Sequence, residues 1–146
     1  MAEPLRREVR VRCSIEHAFE VFTARIDLWW PPGHRRFETS QLHLEAAVGG
    51  RFFERSSSGE EAKLGEVIRC EPPHHISYTW FPGALDKPTQ VDVTFAAAGE
   101  ETIVNVVHSE AESGLGSLWF DRMKLFQRGW EHVLAAFCSA TLTFKS

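Results

Sequence analysis

The last thirty residues constrain this chain most. Ser117 to Ala140 reads as one long helix, with Trp119, Met123, Phe126, Trp130, Val133 and Phe137 spaced by four, three, four, three and four. At about 100° per residue these positions fall within an arc of roughly 80°, a narrow apolar stripe. Asp121, Lys124, Arg128 and Glu131 lie on the opposite side. Six large side chains on one helix need a broad apolar surface to rest on, and the preceding segments read as the strands that supply it. A helix laid across a curved antiparallel sheet often encloses a pocket, so the pattern points to a binder of small molecules.

The upstream segments fit that reading. Leu5–Arg12 alternates charge with Val9 and Val11, as a half-buried strand does. Ser14 is placed to cap a helix whose apolar face is Ile15, Phe19, Phe22 and Ile26. Asp27 is expected to cap a short turn carrying Trp29 and Trp30, stopped by Pro31 and Pro32. A meander follows: strands at Gln41–Ala46 and Arg51–Arg55 joined through Gly49-Gly50, then Ala62–Glu71, His75–Phe81, Thr89–Ala97 and Glu101–Glu110. Ser56–Glu61 is a hairpin tip, Pro82-Gly83 opens a longer loop, and Ser109–Gly116 leads into the helix. The order β, α, six β, α predicts an α+β fold with a mainly antiparallel sheet.

With 146 residues and neither a repeat nor a linker, residues 1–146 are expected to form one domain. Eleven Phe and five Trp against one Tyr make a bulky core with few hydroxyls to satisfy. A net charge of -4 without a basic run argues against a nucleic-acid partner. No apolar run approaches a membrane span, and Met1 to Arg12 has no apolar signal core. Cys13, Cys70 and Cys138, odd in number and far apart, suit a reducing compartment, so a cytoplasmic location is expected.

The order of motifs resembles the START-like, or SRPBCC, superfamily with its helix-grip fold, and within it the homologues of the heat-shock-protein ATPase activator. The matching pieces are Trp29-Trp30-Pro31, Gly49-Gly50-Arg51-Phe52-Phe53-Glu54, Gly65-Glu66-Val67, Pro72-Pro73, Tyr78-Thr79-Trp80, Thr102 through His108, and Gly129-Trp130 with Leu134. The resemblance covers nearly the whole chain. It implies a seven-stranded antiparallel sheet wrapped around the C-terminal helix, with a cavity between them. Members bind hydrophobic ligands, act as cyclases or other enzymes, or assist chaperones, so the family alone does not fix function. A second, chaperone-binding domain of the kind the full activators carry is not expected here, and Ile15 stands where the family often has Pro.

Several residues are candidates for chemistry. Metal-ion, nucleophile-elbow and phosphate-loop motifs are absent. His74-His75 sits just after Pro72-Pro73, and adjacent strand residues point to opposite faces, so no metal site and no cofactor are expected. His108 shares a strand face with Val104 and Val106; it lies either at a cavity edge or in the core, paired with a backbone carbonyl or a helix end. Tyr78 and Trp80 share a face with Ile76, and Phe95 shares one with Val91 and Val93. Met123 and Trp130 would face them from the helix. Trp30 either packs the short helix down or lines an entrance gated by His34–Ser40. Glu45, Glu54 and Glu66 are expected to face solvent or form surface ion pairs.

The expected ligand-binding set is therefore Trp30, Tyr78, Trp80, Phe95, His108, Met123 and Trp130, with Tyr78 and His108 as polar anchors. The leading reading is a domain that holds a small hydrophobic or aromatic ligand. The second is an enzyme of cyclase, dehydratase or hydrolase type using His108 or a buried Glu in the same cavity. The third is a stress-related chaperone accessory. Nucleic acid and membrane are not expected partners; a homodimer and a chaperone contact stay open.

Overall fold

The computed structural model describes residues 4–80, 89–110 and 118–143, with side chains from residue 123 onward in the last segment. Phe81, the loop opened by Pro82-Gly83, most of the lead-in to the last helix, and the side chains of Trp119 and Asp121 lie outside the described residues. Seven strands form one antiparallel sheet in the order β1-β7-β6-β5-β4-β3-β2. They are β1 (Leu5–Val11), β2 (Ser40–Leu44), β3 (Arg51–Ser56), β4 (Glu61–Glu71), β5 (His75–Trp80), β6 (Thr89–Ala98) and β7 (Glu101–Ser109). Two short helices, α1 (Ile15–Phe22) and α2 (Ile26–Trp29), and a 3-10 turn at Pro32–His34 separate β1 from β2. The long α3 (Leu118–Thr143) closes the chain.

The spans follow the sequence reading to within a few residues, and the differences have causes. β2 stops at Leu44 rather than Ala46 because Glu45 N–H donates to the Arg51 carbonyl and the chain then turns on itself through Ala47 and Gly50. Gly49, at φ 85°, supplies the left-handed residue this hairpin needs. Ser14 caps α1 by accepting from His17 N–H. The expected apolar face from Ile15 to Ile26 is split, however. Thr23 turns its hydroxyl back onto the Phe19 carbonyl, and Ile26 begins a second helix. Asp27 does not cap that turn. It lies inside α2, where its carboxylate accepts from the Arg35 guanidinium and from Leu42 N–H.

α3 packs as its stripe requires. Trp130, Val133 and Phe137 are buried, Met123 and Phe126 are half-buried, and Lys124, Arg128 and Glu131 are exposed. Leu134 and Ala140 are also buried and widen the stripe. The helix approaches β1, α1 and α2 most closely. At its C-terminal end the rings of Phe19, Phe22, Trp29, Phe95 and Phe137 interlock with centroids 5.3 to 6.0 Å apart, mostly edge to face. His17 Nε2–H donates to the Thr141 carbonyl and joins α1 to this end of α3.

β3 keeps its two-residue alternation, and the paired β4 carries a bulge at Leu64, between the partners of Phe52 and Phe53. Phe52 faces the core, whereas Phe53 is covered from outside by His43 and by the Arg51 guanidinium, 4.0 Å from its ring centre. Across this bulge Gly65 meets β5 closely: a Cβ there would lie 1.8 Å from the Thr79 carbonyl oxygen. Gly65→Ala should therefore destabilise the fold by about 3 kcal/mol or more, whereas Gly33→Ala, in open space, should stay within about 0.5 kcal/mol. Urea melts of the two variants test this. On α3, Trp130→Ala should cost about 3–5 kcal/mol and the exposed Arg128→Ala within about 0.5 kcal/mol; equal losses would contradict the helix phase.

Candidate functional site

The interior is filled at the α1 end and hollow at the other. A cavity of about 270 Å³ lies between the middle of α3 and the sheet. Trp30, at the end of α2, and Trp80, at the end of β5, form one wall, their rings 6.0 Å apart. Phe52 backs both, at 5.8 Å from Trp30 and 5.6 Å from Trp80. His108 of β7 with Phe126, Trp130 and Val133 of α3 form the other wall, the His108 and Phe126 rings being 4.4 Å apart. His34, Gly129 and the exposed Leu125 complete the lining.

His108 is the deepest polar group of this lining, and its chemistry is fixed by its neighbours. Trp130 Nε1–H donates to His108 Nδ1 at 3.1 Å. An indole nitrogen can only donate, so Nδ1 is unprotonated and the proton sits on Nε2. Nε2–H then donates to Thr89 Oγ1 at 2.8 Å, and the Thr89 hydroxyl donates to the Trp80 carbonyl at 3.1 Å. The relay runs from α3 through β7 and β6 to β5. Burial lowers the His108 pKa from its ordinary value to about 3. His108 is thus a neutral wall group with both nitrogens committed, poorly suited to take a proton from a substrate.

Of the seven residues picked out from the sequence, Trp30, Trp80, His108 and Trp130 line this cavity, and Tyr78, Phe95 and Met123 do not. Strand parity chose the correct face but not the depth along it. Phe95 sits at the filled end, 5.3 Å from Phe19. Tyr78 is fully buried behind the wall, its ring 5.2 Å from Phe52, and its hydroxyl has no hydrogen-bond partner among the described residues. Burial alone drives the proton affinity of that phenol far up, so it stays neutral. Met123 packs half-buried against the core one helical turn before Phe126. Phe126 and Val133 were legible in the stripe as the helical neighbours of Trp130. The signal at Gly129 was a glycine in mid-helix, which costs stability relative to alanine and calls for a reason.

Two further groups depart from expectation or invite chemistry. Glu54 is 1% exposed rather than solvent-facing, because alternation along β3 places it on the same inward face as Phe52. Its carboxylate accepts from Arg36 N–H and Phe37 N–H, both at 2.9 Å, and from the Ser40 hydroxyl at 2.6 Å. Together with Arg35, which donates to the Trp30 carbonyl and to Asp27, it pins the segment that a gate would need free. Glu45 and Glu66 are exposed. On β5 and β6, His75, Ser77 and Asp92 cluster, but Ser77 donates directly to Asp92 while a single nitrogen, His75 Nε2, meets both. A hydrolytic triad needs the histidine between the other two, one nitrogen to each, so this cluster lacks the relay. Among the described residues no group of three or more His, Cys, Asp or Glu is placed to hold a metal ion, and no helix is long and apolar enough to cross a membrane.

A curved seven-stranded antiparallel sheet holding a long C-terminal helix defines the helix-grip class. The chain belongs to the family described as activator of Hsp90 ATPase homolog 1-like protein, whose profile matches residues 12–141. Among solved structures it is similar to an anthrahydroquino-γ-pyrone synthase, at 32% identity over 85% of this chain and 87% of the other, with a TM-score of 0.57. It shares its fold with the self-sacrificing resistance protein CalC from Micromonospora echinospora, at 24% identity over 95% and 94% of the chains, TM-score 0.70. The fold is also that of an HSP90 activator from Plasmodium falciparum, at 17% identity over 99% of both chains, TM-score 0.65. A search of curated proteins gives no match.

The state of His108 gives a pH dependence with a definite sign. Above its unfolded value near 6.5 the ring is neutral in both states. Below that, the unfolded chain takes a proton that the folded chain refuses, so stability is lost as pH falls from about 6.5 toward about 3. The expected slope from this group is roughly 1 kcal/mol per pH unit. His108→Gln, whose amide can accept from Trp130 and donate to Thr89, should fold and lose this part of the slope in denaturant melts at about pH 7, 6 and 5.

Proposed function

We propose that this chain binds a small, flat, mainly apolar molecule in the cavity beneath α3. The observation that carries the reading is an aromatic-walled space of about 270 Å³ whose interior nitrogens on Trp30, His108 and Trp130 are all satisfied by the protein itself. Such a lining rewards a ligand body that asks for no hydrogen bonds there, and the volume suits a molecule of one or two fused rings, near the lower end of ligand pockets. Trp30, Trp80, His108 and Trp130 from the expected set form the contact surface, with Phe126 and Val133 added. Tyr78 supports the wall from behind. A relative at 32% identity is named for a fused aromatic product, which agrees in kind.

That relative's being a synthase favours a second reading, a reaction in the same cavity. The geometry supports it less. Acid–base catalysis wants a group whose proton can move near neutral pH, and His108 is held neutral with both nitrogens occupied.

Gly129 gives the direct test. A Cβ there would be 3.8 Å from His34 Cε1, an ordinary contact, so alanine fits and a larger side chain would enter the cavity. Gly129→Ala should stabilise the helix by about 0.5–1 kcal/mol. Gly129→Leu should weaken binding of 2-naphthalenemethanol, read by tryptophan fluorescence, by about tenfold or more, the equivalent of about 1.4 kcal/mol. Equal affinity in the wild type and Gly129→Leu would place the binding elsewhere. Native mass spectrometry of freshly purified protein is expected to show a co-purified small molecule that the Leu variant lacks.

A further inference from the structure

The protein satisfies some of the nitrogens around the cavity and leaves others open. Trp30 Nε1–H donates to the His34 carbonyl, Trp130 Nε1–H to His108, and His108 Nε2–H to Thr89. Trp80 Nε1–H, by contrast, makes no hydrogen bond among the described residues. Beside Gly129 the exposed rings of His34 and His132 face each other, Nε2 of the first 3.4 Å from Nδ1 of the second, with centroids 5.6 Å apart. One proton bridges these two nitrogens, which leaves His34 Nδ1 and His132 Nε2 open to the outside. No carboxylate lines the cavity among the described residues.

The open groups share one character. The indole can only donate, and an imidazole pair that takes up a proton gains a donor and a positive charge. A ligand matched to them presents an acceptor, best an anionic oxygen, at the mouth while its ring lies inside. We infer that the ligand is an aromatic anion, such as an arene carboxylate, sulfonate or acidic phenolate, whose oxygen is held by His34 and His132, and that binding is coupled to uptake of one proton by this pair. The inference rests on the reading of the cavity as a site for a small flat molecule and adds its charge.

The surroundings leave that titration to the pair. Burial and the neighbouring His132 both lower the proton affinity of His34, and an anion placed against the ring acts in the opposite direction. His108, across the cavity, stays neutral. On α3, Glu131 turns toward Arg7, and Arg128 is exposed. Beside His34 in sequence, Arg35 is spent on Asp27 and the Trp30 carbonyl, and Arg36 has a partner of its own.

Two probes separate the claims: naphthalene-2-sulfonate, which keeps its charge at every pH used, and the neutral 2-naphthalenemethanol. The sulfonate should bind about fivefold or more tightly at about pH 5.5 than at about pH 8, with the alcohol nearly flat. Calorimetry in buffers of different ionisation heat should show proton uptake with the sulfonate alone. In His34→Gln and in His132→Gln the ratio of sulfonate to alcohol affinity should lose its pH dependence. If both probes bind and that ratio is flat with pH in the wild type, or keeps its slope in both variants, the anion assignment is overturned and the cavity reading survives. If neither probe binds, the cavity reading itself fails and the assignment falls with it.

Discussion

His108 receives an indole N–H on one nitrogen and gives its proton to a threonine hydroxyl on the other, and the position of α3 over the sheet depends on that pairing. A hydrogen bond of this kind contributes only about 1 kcal/mol net, but leaving a buried partner orphaned costs about 1–3 kcal/mol. The relay has four members on four elements, and a shift of α3 would strand both Trp130 Nε1–H and His108 Nδ1. The same pairing makes His108 chemically quiet. Its position at the cavity wall resembles that of a general base, while its protonation state is that of a structural group. On the proposed reading a ligand anchor comes from elsewhere, and His34 and His132 present open nitrogens at the rim.

The two ends of the interior are built differently. Toward the C-terminus of α3, five aromatic rings interlock and α1 adds two more points of fixation, Trp29 Nε1–H to the Val21 carbonyl and His17 to Thr141. Toward its middle, the helix carries a glycine, the cavity stays open, and Tyr78 buries a hydroxyl without a partner among the described residues. Each of these features lowers stability: Gly129 by about 1 kcal/mol relative to alanine, the orphaned hydroxyl by about 1–3 kcal/mol. A sequence under pressure for stability alone would fill that end as it fills the other. The asymmetry agrees with one end serving to hold the fold and the other to hold a guest.

Most of the fold was legible because two periods dominate it. Alternation marks β6 and β7, where every second residue from Val91 to Phe95 and from Thr102 to His108 is buried, and the three-four spacing marks α3. Where a local event overrides the period, the reading slips. The bulge on β4 buries Leu64 and Gly65 in succession, and on β3 two adjacent phenylalanines hide the phase that turns Glu54 under the His34–Ser40 segment. Asp27 looks like a cap from its neighbours in sequence, and only the return of Arg35 and Leu42 in space shows it as a junction. The site was half legible for a related reason. Parity places Tyr78, Trp80, Phe95 and His108 on one surface, but depth along a strand follows from what covers each end, and that depends on α1 and α2.

The rim shows most plainly why loop residues escape a pattern-based reading. His34 has no periodic neighbours, and His132 sits on the solvent side of an amphipathic helix, where a polar residue excites no notice. Each alone is an ordinary exposed histidine. They become one group because Trp30 Nε1–H fixes the His34 carbonyl at 3.1 Å, Arg35 ties the next residue to the end of α2, and Gly129 leaves room for the His34 ring against α3. Three separate interactions thus converge on placing one imidazole edge at the mouth of an apolar cavity, within reach of a second. A fold that needed only to close its surface there could have used any small polar residue.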